Sequence, residues 1–476
     1  MSLSNIDATA TAAATRRGLS GQVGNVSQSC PKVKLEIGVF FDGTLNNRFN
    51  VLSRARNDDS YQAALSNPAL LYARYKNGNT YDERNSCGGV GRRFRSIYVE
   101  GPGSTRNAAD DMTGYAFGQG ASGVEARVLW AFRQVLREIG LNGGPPRLEK
   151  VVLDVFGFSR GAAAARYFVN AMRARTISYD PWGPGDFTET LPRGLKVEIR
   201  FVGVFDTVAA IGDPADEDNG PVNVHLKTAQ AVGRIYHLTA GDEYRRNFRL
   251  NRNVPGGGDT FELPGAHSDV GGGYSGTGDR APLGAMQRRS FDSRAEAMAA
   301  QAATRQADLA RGANSTAEAV FVREGWLLAN EPSGGIVRHM GPIREVPVTV
   351  RRGFQTTTRI RYAYDEQLSL NRPWVQLGLS RIALHMMHEA AVARVNGAFL
   401  ALPASDPNYR IPSGLRQYEA AIRSGSLSGA SRAAVLRNYG HVSVKDGPVT
   451  SAEWQGHRAE TNRTRHEYPN RPRNAI

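Results

Sequence analysis

One segment limits the folds open to this chain more than any other. Lys150 to Phe156 (KVVLDVF) is an almost unbroken apolar run. Gly157-Phe158-Ser159-Arg160-Gly161 follows it, and then four alanines, Ala162 to Ala165. A short apolar run bounded by glycine reads as a strand buried on both faces, and the alanines read as a helix lying close on that sheet. A strand that becomes a helix within a few residues needs small side chains at the turn, which Gly157 and Gly161 supply. With 52 glycines in 476 residues, chance alone gives roughly 0.4 G-x-S-x-G strings in such a chain. The string is therefore weak by itself, and its place at a strand-to-helix turn is what makes it informative. There the serine hydroxyl is lifted above the sheet edge with the helix N-terminus aimed at it, which favours developing negative charge. The alternative role for Ser159 is a capping serine in a tight turn.

The rest of the chain repeats the alternation. KVKLEIGVFFDG (32 to 43) reads as a buried strand ending at the turn pair Asp42-Gly43, and Ser96 to Glu100 as a short strand. Val124, Val128, Phe132, Val135, Leu136 and Ile139 mark one face of a helix from about Gly123 to Ile139. VEIRFVGVF (197 to 205) is a further strand, ending at Asp206. This spacing predicts an α/β fold, a mostly parallel sheet with crossover helices. Beyond His267 the pattern changes. Ser293 and Glu296 form a capping box for a helix ending near Gly312. Residues 345 to 364 read as a hairpin turning at Gly353, and 376 to 400 as a helix. The predicted organisation is a flexible leader (1 to 30) and a catalytic domain (31 to 400) with an inserted helical and hairpin region at about 280 to 345. A loop-rich extension (401 to 476) completes it.

The net charge of +14 draws a protein toward anionic surfaces, nucleic acid or acidic phospholipid, without choosing between them. No stripe of Lys and Arg interleaved with aromatics and no nucleic-acid module is present, which argues against a nucleic-acid partner. Cys30 and Cys87 are too few for a disulfide framework or a metal site and read as ordinary thiols. The acidic cluster Asp213, Asp216, Glu217 and Asp218 lacks Ca²⁺-loop spacing, and neither a metal nor a cofactor is expected. MSLSNIDATATAAATRR is not a secretory signal, so export would need a route that reads none. Gly118-Gln119-Gly120-Ala121-Ser122-Gly123 spells G-x-G-x-x-G, but no clear strand precedes it, and it reads as the turn before the Val124 helix.

A serine hydroxyl needs a base, and the base a carboxylate to hold its tautomer. In a strand-turn-helix elbow of this kind the chain order is serine, acid, histidine, the partners following later strands. Asp206 ends a strand, and its alternative role is a helix cap. Asp154 lies inside the elbow strand and is the poorer candidate. Among nine histidines, His267 in FELPGAHSDVGGGY stands in a glycine-rich loop at a strand end and is the best base, with a structural histidine as its alternative. His385 and His388 belong to a helix, His457 and His466 to the polar tail, and His441 is the reserve. The oxyanion donors expected are the backbone N–H of Arg160 and an N–H from the Gly43–Thr44 turn, with Asp42 a brace for that loop.

GVFFDGTLNN, GFSRGAA, FVGVFDTVAAIG and PGAHSDVGGGY together resemble the catalytic domain of the class-one type VI secretion phospholipase effectors, an α/β-hydrolase family. The likeness runs from about residue 33 to about 400 and includes HLTAGDEYRRNFRL, FVREGWL and LGLSRIALHMMHEAA. It implies Ser159 as nucleophile, Asp206 as acid and His267 as base. It also implies phospholipase A activity on bacterial glycerophospholipids, delivery on a type VI spike protein into the target periplasm, and a cognate immunity protein in the producing cell. The 280 to 345 region and the tail beyond 400 depart from the family pattern. A small-ester serine hydrolase would use the same triad.

Overall fold

The computed structural model describes residues 32–179, 187–211, 234–332, 334–352, 355–444, 460 and 462–470. The leader, Cys30, His457, the acidic cluster at 213 to 218 and the Gly353 turn lie outside the described residues.

In chain order the strands are β1 (Val33–Phe41), β2 (Glu83–Arg84), β3 (Val90–Val99) and β4 (Leu148–Phe158), the small hairpin β5 (Thr176–Tyr179) and β6 (Phe187–Thr190), then β7 (Lys196–Phe205), β8 (Ile235–Ala240), β9 (Leu250–Asn251) and β10 (Asp259–Leu263). Seven of them form one sheet in the order β10-β8-β7-β4-β1-β3-β2. All its pairings are parallel except that of the edge strand β2 with β3. The α/β expectation thus holds, with β8 as a strand the sequence reading did not single out.

Both faces are covered, which is why β1 and β4 are apolar along nearly their whole length. On one face the helices Val124–Leu141 and Arg160–Ala174 pack over Ile37, Val39, Val151 and Val155. On the other, Phe40, Phe156 and Phe201 meet the helices Asn67–Tyr72 and Leu379–Val395. Phe40 and Phe156 stack at 4.8 Å between ring centroids; burying each such ring stabilises the fold by about 1.5–3 kcal/mol. The G-x-G-x-x-G string is the turn before the helix at Val124, with Gly118 at φ +64° and the Val124 N–H bonded to the Gly118 carbonyl.

A second sheet follows the glycine loop after His267. Its strands are β11 (Asp279–Phe291), β12 (Gly335–Met340), β13 (Arg344–Arg352) and β14 (Gln355–Arg372), with β14 pairing antiparallel to the other three. The capping box at Ser293 and Glu296 opens the helix Arg294–Arg311. Beyond residue 400, where the sequence suggested loops, stand the helices Ser413–Arg423 and Gly429–Tyr439. A last short strand, β15 (Glu467–Tyr468), pairs parallel with β9. Among the described residues no helix is long and apolar enough to cross a membrane.

Candidate active site

The carboxyl ends of the parallel strands carry the candidate residues. Ser159 follows β4, Asp206 follows β7, His267 lies just beyond β10, and Asp42 to Thr44 follow β1. A crevice outside the carboxyl ends of such a sheet is where ligands of open α/β folds bind.

Ser159 is held at φ +59°, ψ −130°, a conformation that costs a non-glycine residue about 1–3 kcal/mol. Its N–H donates to the Phe205 carbonyl at 3.1 Å, and its own carbonyl accepts from Ala162 at 2.9 Å. The small residues around it are required by contact. A Cβ on Gly157 would sit 2.5 Å from the Gly161 carbonyl oxygen, and one on Gly161 would sit 2.1 Å from the Asp42 carbonyl oxygen. The second figure also shows that the start of the elbow helix touches the loop after β1. Arg160 adds a tie there, its Nε donating to Thr44 Oγ1 at 2.7 Å.

Asp206 is fully buried and, like Ser159, has positive φ (+42°). Its Oδ2 lies 2.5 Å from His267 Nδ1, and its Oδ1 accepts the Ala240 N–H at 2.9 Å. A guanidinium completes the carboxylate: Arg465 Nη1 donates to Oδ1 at 2.7 Å and Nη2 to Oδ2 at 2.8 Å. Burial pushes the Asp206 carboxyl up, but Arg465 and His267 outweigh it and hold the group well below the usual carboxylate range.

His267 opens a short helix, His267–Gly271. Its ring lies against Phe158, the residue before the serine, at 4.6 Å between centroids, and edge-on to Phe248 at 4.9 Å. The Gly271 that follows has no room for a side chain, since a Cβ would meet the Phe158 ring at 2.0 Å. The His267 N–H donates to Glu243 Oε2 at 3.2 Å, and Arg245 forks onto both oxygens of the same carboxylate. Burial lowers the His267 pKa more than Asp206 raises it, so the ring rests neutral. Among the described residues its Nε2 is buried without a hydrogen-bond partner. The Asp206 carboxylate fixes Nδ1 as the protonated nitrogen, which leaves a lone pair on Nε2. The ring is therefore set to accept a proton.

The loop after β1 differs in one respect from the sequence reading. The Gly43 N–H, expected as an oxyanion donor, instead donates to Asp42 Oδ1 at 2.8 Å. Asp42 also accepts from Ser66 and Tyr98, and burial raises its pKa to about 6. Asp42 braces the loop and occupies its neighbour's donor. The Thr44 N–H has no such partner among the described residues.

The other candidates are accounted for structurally. Asp154 is bonded by Arg200 and Tyr75 within the sheet. His385 and His388 each donate an Nε2–H to a backbone carbonyl, those of Tyr409 and Leu400. His441 pairs with Asp269, its Nδ1 2.7 Å from Oδ1. Neither Arg465 nor Glu243 was found from sequence. Glu243 lies in a stretch with no regular period, and Arg465 lies in an Arg-containing polar tail where nothing marks one arginine from the next.

Serine, carboxylate and histidine thus stand in that chain order at the carboxyl ends of β4, β7 and β10 of one mostly parallel sheet covered by helices on both faces. Residues 185–291, which include Asp206 and His267, match the sequence model of the type VI secretion phospholipase effector Tle1-like catalytic domain. The chain shares the fold of a Tle1 effector solved bound to the VgrG spike of the type 6 secretion system. The two are 22% identical with a TM-score of 0.57, over 96% of this chain and 98% of that one. An uncharacterized protein from Pseudomonas aeruginosa is 25% identical over 51% of this chain and 42% of its own, with a TM-score of 0.34. No curated protein sequence gives a match. Over residues 185–291 the chain is thus similar to that catalytic domain, and over nearly its whole length it has the fold of the solved effector.

Proposed function

We propose that this chain is a serine phospholipase of the A type, hydrolysing acyl esters of bacterial glycerophospholipids as a type VI effector. The observation that carries the proposal is the buried His267–Asp206 pair: the ring packs on Phe158, the residue before the strained elbow serine, and its Nε2 has no hydrogen-bond partner among the described residues.

In this reading Nε2 of His267 takes the proton as Ser159 Oγ attacks the ester carbonyl. The negative charge that moves to the carbonyl oxygen is met by the N–H groups of Arg160 and Thr44. The resulting imidazolium is stabilised by Asp206 and returns its proton to the departing lysophospholipid alcohol. Water then repeats the sequence on the acyl-enzyme and releases fatty acid. Loss of one oxyanion donor typically costs about 3 kcal/mol of transition-state stabilisation. The Ser159 hydroxyl must turn toward Nε2 for the first step, and triad contacts of this kind often tighten only when substrate is bound. The solved Tle1–spike complex supports delivery on a spike protein for this chain as well. Action in the target periplasm and neutralisation by an immunity protein complete the proposal.

The test is fatty-acid release from vesicles of phosphatidylethanolamine and phosphatidylglycerol by the full chain and by Ser159→Ala. Release by the first and none by the second is expected, and equal release would overturn the proposal. Cleavage of short soluble esters but not of vesicles would make the chain a small-ester hydrolase instead.

A further inference from the structure

The guanidinium on Asp206 comes from the far end of the described chain. Arg465 side-chain exposure is only 8%, and every polar group on it is used: besides Asp206 it reaches the carbonyls of Phe248 (2.7 Å) and Ala240 (3.3 Å). We infer that Arg465 is a positioning residue for the proposed hydrolysis: the C-terminal segment clasps the sheet edge and its guanidinium fork fixes which Asp206 oxygen faces His267.

The clasp is built from several independent contacts. β15 adds to β9, with the Leu250 N–H donating to the His466 carbonyl at 3.0 Å and the Arg252 N–H to the Tyr468 carbonyl at 2.9 Å. β9 in turn holds the loop that carries the acid, since the Asn251 N–H donates to the Thr207 carbonyl at 2.9 Å and Asn251 Oδ1 accepts from Ala209 at 2.9 Å. On one side of Arg465, Arg463 pairs with Glu324 at 2.6 Å and lies over the Tyr244 and Phe321 rings. On the other side, the buried Asn470 donates to the carbonyls of Asn253 and Pro255 and accepts from Arg166, an arginine of the elbow helix, at 2.8 Å. The tail thus joins the acid loop to the helix that carries the nucleophile.

The chemistry at the carboxylate follows from its lone pairs. Oδ1 accepts Ala240 N–H and Arg465 Nη1; Oδ2 accepts His267 Nδ1 and Arg465 Nη2. A bidentate fork fixes the plane of a carboxylate, whereas a single ammonium does not. Without the fork, the plane of the Asp206 carboxylate can turn, and the tautomer and aim of the His267 ring are no longer fixed. A cation on the acid also opposes formation of the imidazolium. The charged groups around the ring are Asp206, Glu243, Arg245 and Arg465.

The inference rests on the serine-hydrolase reading, and the test separates the two. The full chain, Ser159→Ala, Arg465→Gln and Arg465→Lys are compared for kcat, KM and the acid limb of the pH–rate profile on a soluble p-nitrophenyl ester and on the same vesicles. Folding of each variant is checked by thermal melting. Arg465→Gln is expected to lose about 10- to 100-fold in kcat with KM nearly unchanged, less than the ~10⁴ that accompanies loss of a triad acid. Its acid limb is expected to move up by about one pH unit, because the imidazolium is no longer opposed by a neighbouring cation. Arg465→Lys keeps the charge but not the fork, so its limb stays in place while kcat falls by a smaller factor. A tail that merely held the fold together would leave the limb unmoved in any variant that folds. Wild-type kcat and an unmoved limb in folded Arg465→Gln overturn the inference, even where Ser159→Ala is inactive and the catalytic reading stands. Should the glutamine variant not fold, the lysine variant decides: reduced kcat supports the fork, and wild-type kcat overturns it.

Discussion

The described residues include two buried histidine–aspartate pairs, and one of them, His267–Asp206, packs against the strand that carries the elbow serine. His267 Nδ1 meets Asp206 at 2.5 Å and His441 Nδ1 meets Asp269 at 2.7 Å. Both rings are buried against aromatic side chains, but their polar surroundings differ. His267 faces the elbow serine's strand end with its far nitrogen unpartnered, and its acid shares its charge with Arg465. His441 stacks on Tyr274 at 4.1 Å, and its backbone N–H and Nδ1 both grip the same carboxylate. Asp269 also accepts the Ala266 N–H at 2.9 Å, so this second pair pins the loop that presents His267. Burial lowers the pKa of both rings; Asp269 more than reverses this for His441, whereas Asp206 does not for His267. A histidine–aspartate contact is thus not a catalytic signature. What separates the two pairs is the opposite direction of their pKa shifts and the strand end that His267 alone packs against.

The two histidines should differ most in activity. His267→Gln is expected to lower kcat/KM at least about 10³-fold, as loss of a triad base does, while His441→Gln stays within about three-fold. Steady-state assays on a soluble ester check both. Comparable losses in the two would remove the distinction. On stability the order reverses. His441→Gln breaks a buried charged pair and is expected to cost about 3 kcal/mol, read as a lower melting temperature, with His267→Gln costing less. The pH dependence carries a sign. The folded pKa of His441 lies above its ordinary value of about 6.5, so the pair stabilises fully below that value and the contribution is lost as pH rises through the folded pKa. The melting difference between wild type and His441→Gln should therefore be large near pH 6 and shrink toward pH 9. His267 runs the other way. Its folded pKa is lowered, so the acid limb of kcat/KM should lie below pH ~6.5, and a limb above that value would contradict the neutral resting ring. The smallest effect is expected at Tyr274→Phe, which removes the 2.6 Å hydroxyl contact with Ser443. It should cost about 1 kcal/mol of stability and leave kcat unchanged.

The same contrast explains what was legible in the sequence. The elbow could be read because its demands are local and steric: the glycines beside Ser159 have backbone within 3 Å of where a side chain would start. Asp206 stands out at the end of the apolar strand β7, and His267 in a glycine-rich loop just beyond the short strand β10. His441 sits in no such frame, and the sequence alone marks it no more than a reserve. The Gly43 donor could not be ruled out from sequence, because its loss depends on the rotamer of its own neighbour, Asp42. The second sheet was visible only as a hairpin, since β11 (DRAPLGAMQRRSF) carries no clean alternation. Arg465 was invisible for a different reason: a tail residue reaches the acid by a parallel pairing of two-residue strands, which leaves no pattern in either segment.

The central claim is that Ser159 and the His267–Asp206 pair act as one unit. A fluorophosphonate probe, which reacts only with an activated serine, tests it directly when followed by peptide mass mapping of the full chain, His267→Gln and His441→Gln. One adduct is expected, on Ser159, formed in the wild type and in His441→Gln and abolished in His267→Gln. An adduct on another residue, or labelling of Ser159 that persists unchanged without His267, would contradict it.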